Sequence, residues 1–142
     1  LGDSKKSFKA YEKALKVNPD YAYVLNNYAY FLCIEGRKLK KAEDMSYRAV
    51  QADPDNANSL DTYGWILYLR GKLAEAKLQF KKAMLYGGKE SAVILDHYAE
   101  VLYALKEYDV AFIYWNMALQ KNGGDVPGLK EKILERKREI GK

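Results

Sequence analysis

Apolar residues recur with helical spacing in three similar stretches of the chain. Leu25, Tyr28 and Leu32 follow one another by three and four residues, which places them on one face of a helix. The same pattern returns 35 and 70 residues later, with a small residue after each tyrosine. The later copies are Leu60, Tyr63, Leu67 and Leu95, Tyr98, Leu102, and the small residues are Ala29, Gly64 and Ala99. This pattern predicts helices over residues 21–35, 57–70 and 91–104.

Second helices are predicted between and after these stretches. Their apolar faces carry Ala42, Met45, Ala49; Ala76, Phe80, Ala83; and Ala111, Trp115, Ala118. Gly36 and Gly71 are expected to end the first helix of a pair, whereas Lys106 holds that place in the third pair. Residues that end one helix and begin the next occur at Asn18-Pro19-Asp20 and Asp53-Pro54-Asp55-Asn56. Proline cannot continue a helix, and Asp or Asn is expected to cap the following one. Gly87-Gly88 and Gly123-Gly124 mark the later turns.

A fixed period near 35 residues predicts an all-α solenoid in which one helix pair is copied and stacked. We expect half a repeat, three whole repeats and a C-terminal capping helix in a single domain. The predicted ranges are 1–20 for the second helix of a truncated repeat, 21–55, 56–90 and 91–124 for the repeats, and 125–142 for the cap. Tyr28, Tyr63, Tyr98, Phe80 and Trp115 are predicted to lie in the core.

The two ends of the chain differ from the repeats. Residues 4–17 read as a lone second helix, whose apolar face carries Phe8, Tyr11, Ala14 and Leu15. We expect that face to be exposed, or covered by upstream sequence or a partner, in a chain that is part of a longer protein. Pro127 is predicted to open the final helix. Its apolar stripe carries Val126, Leu129, Ile133 and Ile140.

Composition and charge narrow the classes of function. The 142 residues are 49% hydrophobic and 30% charged, which is typical of a folded domain, with a net charge of +5. The three first helices carry four acids, Glu35, Asp61, Asp96 and Glu100, against Arg70 alone, so they sum to −3 and the rest of the chain to +8. We expect the lysine-rich stretches to be solvated outer faces, with contact to anionic lipid or an acidic partner as the less favoured alternative.

No catalytic arrangement is visible. The single histidine, His97, and the single cysteine, Cys33, fall in different repeats, and Asp96, His97 and Glu100 do not have the spacing of a metal site. Glycine pairs follow helices and not strands, so no phosphate-binding loop is indicated. We therefore predict a protein that is not an enzyme and that has no cofactor.

These residues resemble the tetratricopeptide repeat over nearly the whole chain. The run Leu60-Asp61-Thr62-Tyr63-Gly64-Trp65-Ile66-Leu67 carries the pattern of the first helix, and Ala76, Phe80 and Ala83 that of the second. Ser46 in an aromatic slot, Lys106 for glycine and the lack of a proline after the third repeat depart from it. The resemblance implies a right-handed superhelix of antiparallel helix pairs whose first helices line a concave face. The run from Asp61 to Tyr68 also looks like the C-terminal modules of bacterial members, several of them attached to the cell envelope, which implies a bacterial cytoplasmic or periplasmic protein.

If the resemblance holds, a protein or peptide partner binds the concave face. The expected contact residues are Tyr23, Asn26, Asn27, Tyr30, Asn58, Asp61, Thr62, Trp65, Tyr68, Asp96, His97, Glu100 and Tyr103. Some members of the family grip a terminal carboxylate with Lys, Asn and Arg, but the matching positions here are Asn26, Tyr30, Thr62, Val93 and His97. We therefore expect a neutral or basic ligand.

Two alternatives stay open. The first is a structural or self-association module that packs through the face of residues 4–17, and the second is a helical repeat that binds RNA. Because the concave face is predicted to be acidic, nucleic acid is not expected there. Membrane association is expected only through parts of the protein outside this chain.

Overall fold

The computed structural model describes residues 2–141 and is all-α, as predicted. Eight helices follow one another: α1 (Gly2–Val17), α2 (Ala22–Ile34), α3 (Leu39–Ala52), α4 (Ala57–Leu69), α5 (Leu73–Leu85), α6 (Ala92–Ala104), α7 (Tyr108–Asn122) and α8 (Leu129–Ile140). Short 3₁₀ turns at Gly88–Glu90 and Gly123–Asp125 precede α6 and α8. Within residues 2–141, none of the helices has the length and apolarity needed to cross a membrane.

Three helix pairs form the repeats: α2 with α3, α4 with α5, and α6 with α7. The turn inside each pair has a residue with positive φ two positions after the last residue of its first helix, and the turn of the first pair has a second one, Lys38, with φ of +49°. Gly36 and Gly71 hold this place with φ of +65° and +79°, and Lys106 adopts φ of +65° in the third pair. Glycine adopts this conformation without steric cost, whereas Lys106 has a Cβ atom that makes it unfavourable.

The connectors between repeats differ in how they cap the next helix. The side chain of Asn56 accepts hydrogen bonds from the backbone N–H groups of Asn58 and Ser59 at the start of α4. In the first connector the expected cap is wrong, because Tyr21 holds the capping position of α2 and makes no side-chain cap bond. There the side chain of Asn18 accepts from the backbone N–H of Asp20 instead.

The last helix begins later than the sequence predicts. Pro127 was expected at its first turn, but α8 starts at Leu129. Gly128 lies between them with φ of +71°, a left-handed conformation that cannot belong to the helix. Leu129 and Ile133 of the predicted stripe are buried, whereas Ile140 is exposed.

The core consists of the apolar faces that repeat along the chain. Phe80 and Trp115 are fully buried, and so are the small alanines on either side of them in α5 and α7. Gly64 of α4 lies directly against Phe80, since a Cβ atom there would come 2.8 Å from ring atom Cε2. Tyr28 and Tyr98 are buried as predicted, and Tyr63 is partly buried. Stacking of the pairs in this way makes an all-α helical repeat solenoid.

Helix α8 takes the place of a first helix in a further repeat. Asp61 of α4 contacts His97 of α6, and Asp96 of α6 contacts Lys132 of α8, in both cases 36 residues further along the chain. His97 and Lys132 are also 35 residues apart, so α8 stands to α6 as α6 stands to α4. The solenoid therefore continues through α8 without a second helix to pair with it in residues 2–141.

Candidate functional site

A hollow of about 700 Å³ opens on the face formed by α2, α4 and α6. First helices supply all of its lining, as expected for a concave face. Eight of the thirteen predicted contact residues line it: Asn26, Asn27, Tyr30, Asn58, Asp61, Thr62, Trp65 and His97. Cys33, Ile34, Leu69 and Val93 complete the lining.

The other five predicted residues lie outside the hollow. Tyr23 is strongly exposed near the start of α2, and Tyr68 is partly buried beside Trp65 with ring centroids 4.6 Å apart. Tyr103 donates a hydrogen bond of 2.8 Å to Glu139 of α8. Asp96 and Glu100 are buried, so the structure does not bring the predicted set together as one surface.

A histidine–carboxylate pair lies in one wall of the hollow. Nδ1 of His97 lies 2.7 Å from Oδ1 of Asp61, which ties α6 to α4. The imidazole also stacks on the indole of Trp65, with centroids 4.2 Å apart and planes inclined by 20°. Trp65 in turn stacks on Tyr68. The pair and the stacked rings fix this wall before any ligand arrives.

The carboxylate of Asp61 favours the charged form of the histidine. Burial alone lowers the pKa of His97, but the charge of Asp61 and its hydrogen bond outweigh that effect, and the pKa is raised overall. Asp96 raises it a little further and Lys132 opposes it. When His97 is protonated, its charge cancels that of Asp61.

The buried carboxylates of α6 bind α8. Oδ1 of Asp96 accepts from Nε1 of Trp115 at 2.8 Å and from Nζ of Lys132 at 2.7 Å. Glu100 pairs with Arg136 at 3.3 Å and with Lys132 at 3.5 Å. The prediction that Asp96 and Glu100 face a ligand is therefore wrong, because α8 covers both and supplies their counter-charges.

This pairing changes the electrostatics expected of the concave face. All four acids that gave the first helices their sum of −3 have cationic partners: Glu35 lies 3.3 Å from Arg37, and the other three pair with His97, Lys132 and Arg136. Asp61 is the single carboxylate in the lining of the hollow. The hollow is consequently close to neutral, with amide and aromatic groups as its main features.

Asparagine side chains provide the polar contacts of the hollow. Asn26, Asn27 and Asn58 line it from two helices, and each amide both donates and accepts hydrogen bonds. Oδ1 of Asn26 is buried and has no hydrogen-bond donor among the described residues. An unpaired acceptor of this kind is costly unless another donor reaches it.

Helical spacing could have identified three lining residues that were not among the predicted contacts. Ile34 follows Tyr30 by four residues, and Leu69 follows Trp65 by four, so each lies one turn further along the same face. Val93 precedes His97 by four in the same way. The missed residues add apolar area to a set that was predicted from polar and aromatic side chains alone.

The hollow offers binding groups and no evident reactive centre. Burial raises the pKa of the Cys33 thiol, and the charge of Asp61 raises it further, so the thiol stays protonated and weakly nucleophilic. Among the described residues, no three His, Cys, Asp or Glu side chains are grouped so that they could hold a metal ion.

Comparison with known proteins agrees with this geometry. A family model described as tetratricopeptide repeat matches residues 10–44. The search of curated protein sequences gave no match. Solved structures are similar over most of the chain.

Three of these structures illustrate the likeness. MamA is 18% identical with a TM-score of 0.83, covering 99% of this chain and 80% of that one. TTC0263, a protein of Thermus thermophilus, is 17% identical with a TM-score of 0.77, covering 96% and 74%. YrrB is 26% identical with a TM-score of 0.71, covering 82% and 59%. Residues 10–44 thus match the tetratricopeptide repeat, and the chain shares the all-α helical repeat fold of these structures.

Proposed function

We propose that this chain is a non-catalytic scaffold that binds an extended peptide segment of a partner protein in the hollow of α2, α4 and α6. Tetratricopeptide repeats commonly serve as scaffolds for protein interactions. The observation that carries the proposal is the preformed hollow, which combines three asparagine amides with Tyr30 and Trp65. Amides pair with peptide backbone, while aromatic rings supply contact area at small cost in conformational entropy.

The charges of the hollow favour a neutral or basic segment over an acidic one. Asp61 is the one carboxylate of the lining, and His97 balances it only when protonated. A neutral segment meets no uncompensated charge, and a basic residue would gain from Asp61 at pH values where the imidazole is neutral. An acidic segment would meet Asp61 without a lysine or arginine in the lining to offset the repulsion.

A related protein supports peptide binding as the activity. YrrB has been described as a tetratricopeptide repeat protein with an unusual peptide-binding site, and it is 26% identical to this chain. Because the fold alone does not name a ligand, the test must act on the lining of this hollow.

The test is selection from a random peptide library on the wild-type chain and on two double variants. Tyr30→Ala with Asn58→Ala removes two exposed lining groups, and Tyr86→Ala with Asn116→Ala removes the same residue types from exposed positions outside the hollow. We expect the selected peptides to bind the second variant as they bind wild type and to lose about tenfold in affinity or more for the first. No enrichment, or equal binding by both variants, would exclude the hollow as the site.

The charge of the ligand is tested separately. Selected peptides are remade with lysine, glutamine or glutamate at each exposed position, and dissociation constants are compared at one salt concentration. We expect the glutamate peptides to bind most weakly. Tightest binding by the glutamate series would refute a neutral or basic ligand while leaving the site itself intact.

A further inference from the structure

Two neighbouring helices line the hollow with the same series of side chains, in the order polar, aromatic and aliphatic. Each series advances by four residues at a time, so its members form one row along the helix. The two rows also occupy equivalent positions, 35 residues apart in the sequence. The rows are Asn26, Tyr30, Ile34 in α2 and Asp61, Trp65, Leu69 in α4.

Most of the remaining lining follows the same division. Asn27, Asn58, Thr62 and His97 lie in the first halves of their helices, whereas Cys33 lies near the end of α2. Val93, at the start of α6, is the exception. The charged pair of Asp61 and His97 therefore belongs to the polar half of the hollow, and the other half is aromatic and aliphatic.

Neighbouring first helices run side by side in the same direction, so their polar halves coincide. The side-chain pairs that join one first helix to the next all have the same separation in sequence, which antiparallel helices could not provide. These pairs, each 36 residues apart, are Asp61 with His97, Asp96 with Lys132 and Glu100 with Arg136. The hollow thus has a polar end, where the first helices begin, and an apolar end, where they finish.

Both ends retain binding capacity. At the apolar end, Ile34 is 60% exposed and Leu69 is 44% exposed, and Tyr30 beside them is 48% exposed. Large apolar side chains gathered around one hollow are typical of a contact surface. At the polar end, Oδ1 of Asp61 is bonded to His97, while Oδ2 is not enclosed and has no hydrogen-bond partner among the described residues. That oxygen can accept a bond from a ligand.

The length of the rows sets the spacing of the groups that a ligand needs. Asp61 and Leu69 are eight residues apart, which corresponds to about 12 Å along a helix axis. An extended peptide advances about 3.3 Å per residue, and alternate side chains point to the same side. Side chains four positions apart in such a peptide therefore face the same way and lie about 13 Å from each other.

We propose that the bound peptide lies along α2 and α4 and carries a basic and a large apolar side chain four positions apart, in either order. The basic group binds Oδ2 of Asp61, and the apolar group packs on Ile34 and Leu69. The side chain midway between them lies over the rings of Tyr30 and Trp65. This inference rests on the proposed function, because it specifies the ligand of the same hollow.

The first test is selection on the wild-type chain from four displayed peptide libraries. Lysine and leucine are fixed two, four, six or seven positions apart, in both orders, and every other position is random. We expect enrichment at the spacing of four. Enrichment at seven, which is two turns of a helix, would overturn the proposal because the ligand would then be helical.

The second test pairs changes in a selected peptide with changes in the protein. Leu69→Ser should weaken binding about tenfold or more, but should have little effect on a peptide whose leucine is replaced by serine. Asp61→Asn should likewise remove the advantage of lysine over glutamine in the peptide. Leu85→Ser is the matched control, since Leu85 is 77% exposed and lies outside the hollow. Circular dichroism checks that each variant is folded, and the Leu69→Ser cycle is decisive by itself if Asp61→Asn is not.

Failure of this inference can be distinguished from failure of the proposed function. Peptides that bind equally well at every spacing, and that still lose affinity with Tyr30→Ala and Asn58→Ala, would overturn the spacing and leave the hollow as the site. The same conclusion would follow if Leu69→Ser weakened the leucine and serine peptides equally. No binding from the four libraries or from the random library would overturn both.

Discussion

At the scale of single residues, one backbone position distinguishes the third helix pair from the first two. Lys106 adopts φ of +65° where Gly36 and Gly71 stand in the equivalent turns. A left-handed conformation costs an L-residue about 1–2 kcal/mol, part of which a glycine returns through its larger entropy in the unfolded chain. We therefore predict that Lys106→Gly raises the free energy of unfolding by about 0.5–1 kcal/mol, as measured by urea titration. Gly71→Lys is the reverse control and should lower it, and a loss of stability in Lys106→Gly would contradict the argument.

The pair of His97 and Asp61 makes a second prediction at this scale. Because the pKa of His97 is raised in the folded chain, its contribution to stability is complete below the ordinary histidine pKa of about 6.5 and is lost as pH rises through the raised value. Asp61→Asn removes the cause of the shift. We expect the difference in unfolding free energy between wild type and Asp61→Asn to be larger at about pH 5.5 than at about pH 8.5. His97 is the one histidine of the chain, so a difference independent of pH would show that the pair does not titrate as a unit.

At the scale of helices, the close contact of α4 and α5 depends on Gly64. A Cβ at this position would lie 2.8 Å from the ring of Phe80, and Phe80 is itself fully buried. We predict that Gly64→Leu lowers the free energy of unfolding by about 1–3 kcal/mol, the usual cost of overpacking. Gly124→Ala is a suitable control, because a Cβ there meets no atom within 4 Å. Equal unfolding midpoints for the two variants would mean that α4 and α5 can separate without cost.

The helices and their order could be predicted from sequence, because each apolar face repeats with a period near 35 residues. The pairing of charges between helices could not be predicted from the period alone. Asp96 reads as a solvated residue of a first helix, and its burial depends on Lys132 and Trp115, which other helices bring to it. The sequence spacing did contain a signal for these ion pairs. An acid and a base stand 36 residues apart in both of them, Asp61 with His97 and Asp96 with Lys132. The apolar pattern also could not predict local turn geometry. One example is the left-handed conformation of Gly128, because of which α8 begins only at Leu129.

At the scale of the whole molecule, the two ends of the solenoid are unlike. At the C-terminal end, α8 buries Leu129 and Ile133 and leaves Lys130 and Lys137 exposed. At the N-terminal end, Tyr11 and Ala14 of α1 and Phe31 of α2 remain partly exposed. A solenoid is stabilised by contacts between neighbouring units, so a unit with a neighbour on one side only is the first to open.

Hydrogen exchange should reveal this difference along the chain. We predict that the amides of α1 exchange first, and that those of α4 to α7 exchange last, because their helices lie in the larger core cluster around Phe80 and Trp115. Mass spectrometry of peptic fragments, followed over time at one pH, measures the order. Slower exchange in α1 than in α7 would show that the N-terminal end is not the least stable end of the solenoid.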